Sequence, residues 1–239
     1  MNFTVDIVIP VYNEEKNLPR SIDILTKYLK VSLNNPWRVV IADNGSTDNT
    51  LSVSEMLASK YTGVSVTHIP QKGRGRALRD TWLESDADIV SYTDVDLSTD
   101  LAHLPELSRA IEEGYDIAIG SRLKKGAKVK RSIKREIVSR TYSLMFRTMF
   151  LTPFKDAQCG FKALSRKAAG ELVPLVKNNN WFFDSELLII AAKLGYKIKE
   201  IPVHREDDPD SRVNIVKTAW EDIKGLARLR FGGTPKIYR

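Results

Sequence analysis

Residues 5–15, VDIVIPVYNEE, indicate the fold, because a short apolar strand there runs directly into a polar turn. An apolar run of about four to eight residues bounded by turn residues is typical of a strand buried on both faces. Asn13 is predicted to cap a helix over residues 15–30, where leucines and isoleucines recur on one helical face. The chain therefore opens as a buried strand, a polar turn and an amphipathic helix.

The same order of strand, turn and helix recurs through the first half of the chain. Further strands are predicted at residues 37–42, 64–69, 89–93 and 117–119, with helices between them that end near residues 60, 85 and 114. Strands that alternate with helices of about 10–15 residues form a parallel sheet with helices on both faces. We therefore predict an α/β fold with a Rossmann-like, mostly parallel sheet.

The second half is less regular. It contains a basic, Met- and Phe-rich helical region over residues 133–151, a helix over 184–194, a strand over 198–203 and a helix over 213–230. The basic region fits either contact with a membrane surface or packing on the sheet. Because no repeat or linker is visible, we expect a single domain over residues 1–230, followed by a basic tail at 231–239.

Polar residues follow each of the predicted parallel strands. They are found at residues 12–14, 43, 73–76, 94–96 and 121–122. In open parallel sheets, ligands bind beyond the carboxyl ends of the strands. The sequence therefore predicts one binding site at this edge of the sheet.

Two of these clusters have a definite chemistry. Asp94 and Asp96 follow a buried strand and can present oxygen ligands to Mg²⁺ or Mn²⁺, which would neutralise a diphosphate leaving group. Gly73 and Gly75 precede a helix, where backbone amides can approach a phosphate. The glycine spacing matches neither a dinucleotide-binding fingerprint nor a P-loop, which disfavours a dehydrogenase or a kinase.

The charge is divided between the two halves of the chain. The 239 residues include 37 basic and 30 acidic ones, and the net charge is −7 over residues 1–121 and +14 over 122–239. Residues 122–135 hold eight basic residues and no acidic one. This run predicts either an anionic partner, such as a phosphate, a membrane surface or a nucleic acid, or a solvated loop.

Residues 8–15, 43–48 and 94–96, in this order and spacing, resemble the family-two glycosyltransferases of GT-A fold. The resemblance implies a nucleotide-sugar half over residues 1–121 and an acceptor half over 122–230. It also implies Mg²⁺ or Mn²⁺ as cofactor, held by Asp94 and Asp96. The residues expected to bind the nucleotide-diphosphate sugar are Pro10, Val11, Tyr12, Asn13, Glu14, Asp43, Gly73, Arg74, Asp94, Val95 and Asp96.

A branch of this family that acts on polyprenyl phosphates shares further motifs with the chain, at residues 120–122, 156–162, 183–187, 202–205 and 211–213. It includes dolichyl-phosphate mannose synthases and glucosyltransferases. The resemblance implies inverting transfer of glucose or mannose from UDP-glucose or GDP-mannose to a polyprenyl phosphate. Mannose synthases have glutamine two positions after the second metal-site acid, where this chain has Ser98, so the sugar and the third metal ligand stay open.

A phosphate acceptor needs cations more than a general base, because a phosphate monoester with a second pKa of ~6 is largely dianionic near neutral pH. The expected ligands of the lipid phosphate are Arg122, Arg131, Ser211 and Arg212. The predicted catalytic residues are Asp96, Arg122, Asp156, Asp184, Glu186, Arg205 and Arg212. With a hydroxyl acceptor, the alternative, Asp184 or Glu186 would act as the base.

The remaining expectations concern partners and location. The basic run has no interleaved aromatic residues, which disfavours nucleic acid as a partner. No apolar run reaches the ~20 residues of a spanning helix, and no secretory leader is visible. We expect a cytoplasmic protein at the inner face of a membrane, bound peripherally to its anionic surface. A structural role is predicted for His204, and the oligomeric state is not predicted.

Overall fold

The computed structural model describes residues 3–206 and 215–233. Its strands are β1 (Val5–Val11), β2 (Trp37–Asn44), β3 (Val64–Ile69), β4 (Ile89–Thr93), β5 (Ile117–Ser121), β6 (Lys128–Lys130), β7 (Phe161–Ser165), β8 (Ile198–Pro202) and β9 (His204–Glu206). Its α-helices are α1 (Leu18–Ser32), α2 (Thr50–Lys60), α3 (Arg74–Glu84), α4 (Leu104–Glu112), α5 (Ile133–Phe150), α6 (Arg166–Leu172), α7 (Phe183–Lys193) and α8 (Ile215–Phe231). Short 3₁₀ turns lie at Leu101–His103 and Val173–Leu175.

Seven strands form one sheet in the order β3-β2-β1-β4-β7-β5-β8. All neighbours are parallel except β7, which runs antiparallel to both β4 and β5. The predicted mostly parallel α/β sheet is therefore confirmed, although the sequence analysis did not identify β7. Strands β6 and β9 pair separately as a two-stranded sheet.

Helices cover both faces of the large sheet, as predicted. Ile7 and Ile9 of β1 pack in a core with α1, α2 and α4, whereas Val8 points to a core with α3, α5, α6, α7 and α8. This alternation follows from the strand geometry, in which successive side chains leave opposite faces. Within the described residues, no helix has the length and apolar character that crossing a membrane requires.

The predicted cap of the first helix was wrong. Helix α1 begins at Leu18 after Asn17, not after Asn13. Pro19 lies in the first helical turn, a position that its fixed φ angle favours, and this places the start of the helix. Asn13 instead adopts a positive φ angle of 56° in the turn between β1 and α1.

Gly75 sets the distance between the start of α3 and the start of α7. A Cβ atom at Gly75 would lie 2.5 Å from Cβ of Phe183, whereas one at Gly170 of α6 would have no neighbour within 4 Å. The approach at Gly75 is closer than van der Waals contact allows, so the two helices must separate to accept any side chain there.

We expect Gly75→Ala to lower the free energy of unfolding by about 1–3 kcal/mol, because overpacking forces the helices apart. The matched control Gly170→Ala should raise it by about 0.5–1 kcal/mol, since alanine favours the helix. Urea titration followed by circular dichroism measures both. Equal effects of the two substitutions would contradict the packing argument.

Candidate active site

The turns after β1 and β2 are joined by hydrogen bonds at the edge of the sheet. The backbone N–H of Asn13 donates to Oγ of Ser46 at 3.0 Å, and the N–H of Thr47 donates to Oδ1 of Asn13 at 2.8 Å. The N–H of Glu14 donates to Oγ1 of Thr50 at 2.8 Å. These bonds explain the positive φ of Asn13 and hold the segment predicted to bind the nucleotide sugar in one conformation.

Asn44 connects the same edge to the glycine turn before α3. Its Nδ2 donates to the carbonyl of Val11 at 2.6 Å, and its Oδ1 accepts from the N–H of Gly73 at 3.1 Å. In the same region, Nζ of Lys72 lies 3.4 Å from the centre of the Tyr12 ring. Three of the predicted donor-binding segments are thus brought together by one buried asparagine.

Asp43 also lies at this edge, but its side chain is fully buried. Its Oδ2 accepts from Nδ1 of His68 at 2.8 Å, and its Oδ1 lies 3.4 Å from the N–H of Ser46. His68 was not predicted from the sequence. It is the residue directly opposite Asp43 on β3, a relation that only the strand register reveals.

Asp94 and Asp96 lie on the turn that follows β4. Asp96 is exposed, and one of its oxygens accepts from the N–H of Ser98 at 2.9 Å. Asp94 is partly buried and accepts from Nη2 of Arg74 at 2.8 Å, while Nη1 of Arg205 lies 3.7 Å from its other oxygen. Burial acts to lower the pKa of Arg205, but the charge of Asp94 raises it above its usual value.

Gly160, just before β7, leaves the space that the Asp94 carboxylate occupies. A Cβ atom at this position would lie 1.9 Å from Oδ2 of Asp94. Val95, between the two acids, packs against the core that contains β1. The glycine of the 156–162 motif therefore has a direct steric role at the acidic turn.

Asp184 lies next to this centre and is almost completely buried. Its Oδ2 accepts from Nη1 of Arg74 at 2.7 Å, its Oδ1 accepts from the hydroxyl of Tyr92 at 2.6 Å, and Nζ of Lys162 is 3.0 Å from Oδ1. Burial acts to raise the pKa of Asp184, but Lys162 and Arg74 together hold it below its ordinary value. Burial likewise acts to lower the pKa of Arg74, which the neighbouring acids raise well above normal.

Arg122 and Asp156 form a two-pronged ion pair. Nε and Nη2 of Arg122 donate to the two carboxylate oxygens at 2.7 and 2.8 Å, and the Arg122 N–H adds a bond of 2.9 Å. Burial acts to raise the pKa of Asp156, yet Arg122 holds it well below its usual range. Asp156 is therefore ionised, and both of its carboxylate oxygens accept hydrogen bonds from Arg122.

The other predicted site residues have different surroundings. Glu186 is fully buried and accepts from the N–H of Asn178 at 2.9 Å and from Nη2 of Arg228 at 2.7 Å. Arg131 has a side chain that is only 3% exposed, and its Nε donates to Glu136 at 2.5 Å. Thus neither presents a free charged group to solvent. Ser211 and Arg212 lie outside the described residues.

The donor set at the acidic turn fits a hard divalent cation. Carboxylate oxygens are the ligands that Mg²⁺ and Mn²⁺ prefer, and Asp96 offers them at the surface. A second group of potential ligands, Asp100, His103 and His204, has its ligand atoms within 4.8 Å of one another. However, Nε2 of His103 accepts from the N–H of His204 at 3.1 Å and its Nδ1 faces Glu106 at 2.9 Å.

Both ring nitrogens of His103 are thus already engaged in hydrogen bonds. The hydrogen bond from the backbone N–H of His204 to His103 joins β9 to the turn before α4, and a structural role for the His204 side chain stays a prediction. Asp94 and Asp96 therefore form the better candidate for a cation site among the described residues.

The model of glycosyl transferase family 2 matches residues 6–173 of this chain. The chain belongs to glycosyl transferase family 2. The motif resemblance noted above is thereby confirmed.

Individual relatives extend this result over nearly the whole chain. Glycosyltransferase AglD of Haloferax volcanii is 34% identical over 93% of this chain, which spans only 35% of the length of AglD. Dolichyl-phosphate beta-glucosyltransferase ALG5C of Trichomonas vaginalis is 30% identical over 87% of the chain, which spans 65% of that relative. The polyprenyl-phosphate branch that the second-half motifs resemble is therefore the one to which these relatives point.

Solved structures support the fold. Glucosyl-3-phosphoglycerate synthase from Mycobacterium tuberculosis, in complex with UDP, superposes with a TM-score of 0.71 at 22% identity, over 98% of this chain and 82% of that one. A complex of the same enzyme with Mn²⁺, UDP and glucosyl-3-phosphoglycerate gives 0.70 at 20% identity, over 98% and 81%. The predicted GT-A fold of this transferase is confirmed.

We expect Arg122→Met to lower the free energy of unfolding of this transferase by about 3–5 kcal/mol at neutral pH, because it leaves a buried carboxylate unpaired. The pH dependence should also reverse. In the native protein the folded pKa of Asp156 lies below its unfolded value of about 3.9, so this stabilisation is present above that pH and is lost as the pH falls below it. In the variant the folded pKa is raised, so stability should increase as the pH falls towards ~4.

Urea titrations between neutral and acidic pH measure this difference. Arg140→Met is the matched control, because Arg140 forms an exposed pair with Glu136 and should contribute less than ~1 kcal/mol. Parallel pH profiles for the native protein and Arg122→Met would contradict the assigned ion pair.

Proposed function

We propose that this chain transfers a hexose from a nucleotide-diphosphate sugar to a polyprenyl phosphate of the dolichyl type, with inversion at the anomeric carbon. Glucose from UDP-glucose is the preferred assignment, since ALG5C is named a dolichyl-phosphate beta-glucosyltransferase. Mannose from GDP-mannose has less support. The observation that carries the proposal is the acidic turn of Asp94 and Asp96 beside two arginines, Arg74 and Arg205, which both lie within ion-pair distance of Asp94.

The donor would lie along the edge formed by the turns after β1, β2 and β4. The segment from Pro10 to Glu14 is held by the Ser46 and Thr50 contacts, and Gly73 offers its turn to phosphate. Asp43 is fully buried against His68, so its carboxylate does not face this edge directly, and its role in binding the base stays a prediction.

Asp94 and Asp96 would hold Mg²⁺ or Mn²⁺, as the donor set allows. The cation, when bound, supplies positive charge that stabilises the leaving diphosphate. Arg74 and Arg205 add positive charge to the same region, because both guanidinium groups lie within ion-pair distance of Asp94. Guanidinium groups also match the geometry of phosphate oxygens.

The surroundings of Asp156, Asp184 and Glu186, the acids that the sequence offered as catalytic residues, favour a phosphate acceptor over a hydroxyl. Asp156 and Asp184 both have lowered pKa values, which makes them weak bases. Glu186 is paired with Arg228 and is fully buried. A hydroxyl nucleophile would need a competent base, whereas a phosphate dianion needs only positioning.

The acceptor phosphate would be steered by the arginines of the second half. Arg205 is the best-placed described candidate, since its guanidinium lies against the acidic turn. Arg122 would contribute if its pair with Asp156 loosened, and Arg212 remains a prediction. One phosphate oxygen attacks the anomeric carbon while the bond from that carbon to the diphosphate oxygen breaks, so the electron pair and negative charge leave with the nucleoside diphosphate.

We expect purified protein with UDP-glucose, a polyprenyl phosphate and Mg²⁺ to form a β-linked lipid-phosphate glucose, detected by mass spectrometry. Asp96→Asn should reduce this activity by about 10²-fold or more, because it removes a charged ligand of the cation. The control Asp86→Asn changes an exposed acid beside Arg38 and should leave activity unchanged.

Several outcomes would contradict the proposal. Product from a water-soluble hydroxyl acceptor but none from a polyprenyl phosphate would contradict the acceptor assignment. An α-linked product would contradict the single displacement. Product from GDP-mannose but none from UDP-glucose would change the assigned sugar from glucose to mannose. Full activity of Asp96→Asn would remove the metal role.

We further propose that α5 and α8 face an anionic membrane surface, at the inner side of the membrane as the sequence led us to expect. The two helices pack on the same core and contact each other. Their exposed apolar residues are Ile133, Ile137, Val138, Leu144, Trp220, Ile223 and Phe231. Exposed basic residues on the same helices are Lys134, Arg140, Arg147, Lys224, Arg228 and Arg230.

We expect the protein to sediment with anionic vesicles and to be released by salt, because each basic residue near an anionic leaflet contributes about 1 kcal/mol. Ile137→Asp should weaken binding about tenfold. The control Val31→Asp should not weaken it, because Val31 is an exposed residue of α1, which packs on the opposite face of the sheet. Equal losses in both variants, or no binding by the native protein, would contradict this surface.

A further inference from the structure

Lys162 is a fully buried lysine at the centre of the sheet. The antiparallel register of β4 and β7 places it directly opposite Tyr92. Its ammonium group lies 3.0 Å from Oδ1 of Asp184 and 3.2 Å from the Tyr92 hydroxyl, and it donates to the carbonyl of Cys159. The three partners match the three donors of an ammonium group, so the hydrogen-bonding capacity of Lys162 is satisfied where it stands.

Asp184 is paired with two cationic side chains that differ in their exposure to solvent. Lys162 has no solvent-exposed surface and is surrounded by partners on the sheet. Arg74 approaches from the edge, keeps 12% of its side chain exposed, and stacks on the rings of Tyr92 and Trp181 at 4.9 and 5.0 Å. Lys162 is therefore enclosed by the sheet, whereas part of the Arg74 side chain faces solvent at the edge where the donor would bind.

Arg74 bridges two carboxylates, that of the buried Asp184 and that of Asp94 at the proposed cation site. Nη1 binds Asp184, and Nη2 binds Asp94 of the proposed cation site. A divalent cation on Asp94 would repel a guanidinium held on the same carboxylate. The arriving diphosphate would attract it, since a guanidinium fork matches phosphate oxygens.

If Arg74 moved away without replacement, the buried carboxylate of Asp184 would lose its counter-charge. Breaking a buried ion pair on one side is strongly unfavourable, because it leaves a charge without compensation. Lys162 lies 3.0 Å from Oδ1 of Asp184, and both Lys162 and Arg74 act to lower the pKa of Asp184 against the effect of burial. Lys162 is thus a second counter-ion that stays beside Asp184 if Arg74 moves.

We propose that Lys162 is a positioning residue for donor binding: it is the fixed counter-ion of Asp184 that allows Arg74 to leave the Asp94–Asp184 bridge and bind the donor's diphosphate. The inference rests on the proposed function in one respect, namely that the donor is a nucleotide-diphosphate sugar. The alternative is that Lys162 has only a structural role in the interior, beside Tyr92.

The test compares the single variant Lys162→Met with the double variant Lys162→Met/Asp184→Asn. In the single variant Arg74 is the only cation left beside Asp184 among the described residues and should stay on it, so affinity for UDP in Mg²⁺ should fall by about tenfold or more. In the double variant the carboxylate charge is gone and Arg74 is released, so UDP affinity should return to within about threefold of the native value. Isothermal titration calorimetry with UDP is the readout, and thermal melting reports folding.

A purely structural lysine would not produce this recovery. Native-like UDP affinity in Lys162→Met, or a double variant that binds as weakly as the single one, would overturn the role of Lys162. If the single variant does not fold, recovery of both folding and UDP binding in the double variant supports the proposal, and failure of the double variant to fold overturns it.

The same titration separates this inference from the proposed function. Native protein that binds neither UDP nor GDP in Mg²⁺ overturns both. Native protein that binds UDP, together with an unchanged Lys162→Met variant, overturns only the role of Lys162.

Discussion

The carboxylate of Asp184 is buried and is held by groups from three separate elements, Arg74 of α3, Tyr92 of β4 and Lys162 of β7. A buried charge is tolerated only when it is paired and hydrogen-bonded, so these elements must keep their register for the protein to fold. Because Arg74 also binds Asp94, the ion pairs that compensate the interior also orient the acidic turn. Stability and the proposed chemistry therefore depend on one network.

Strand β7 makes this network possible. It enters the sheet between β4 and β5 and runs against both, which places Lys162 beside Tyr92 and Gly160 against Asp94. It also joins the acidic first half of the chain to the basic second half. Without β7, no strand of the second half would lie between β4 and β5 at the centre of the sheet.

In the segment of residues 122–135, fewer basic groups are available to bind a partner than the composition indicates. Arg122 is bound to Asp156, Lys124 donates to the carbonyl of Glu200, Lys130 pairs with Glu206 and Arg131 pairs with Glu136. Net charge is a property of composition, whereas available charge depends on the partners that the fold supplies. For this reason Arg205, which reaches the acidic turn, is a better-placed candidate for binding a phosphate than the buried Arg131.

The sequence by itself determined the parallel half of the sheet, the helices on both faces, and the edge where Asp94, Asp96 and Gly73 lie, because hydrophobic periodicity and turn residues are local signals. The start of α1 is also a local signal, set by Pro19, whereas only the tertiary structure decided the antiparallel β7 and the pairings of His68 and Lys162. Those depend on strand register and on contacts between residues far apart in the chain, which no local pattern encodes. The engagement of Asp156 and Glu186 in ion pairs was hidden for the same reason, since an acidic residue in a motif carries no sign of its partner.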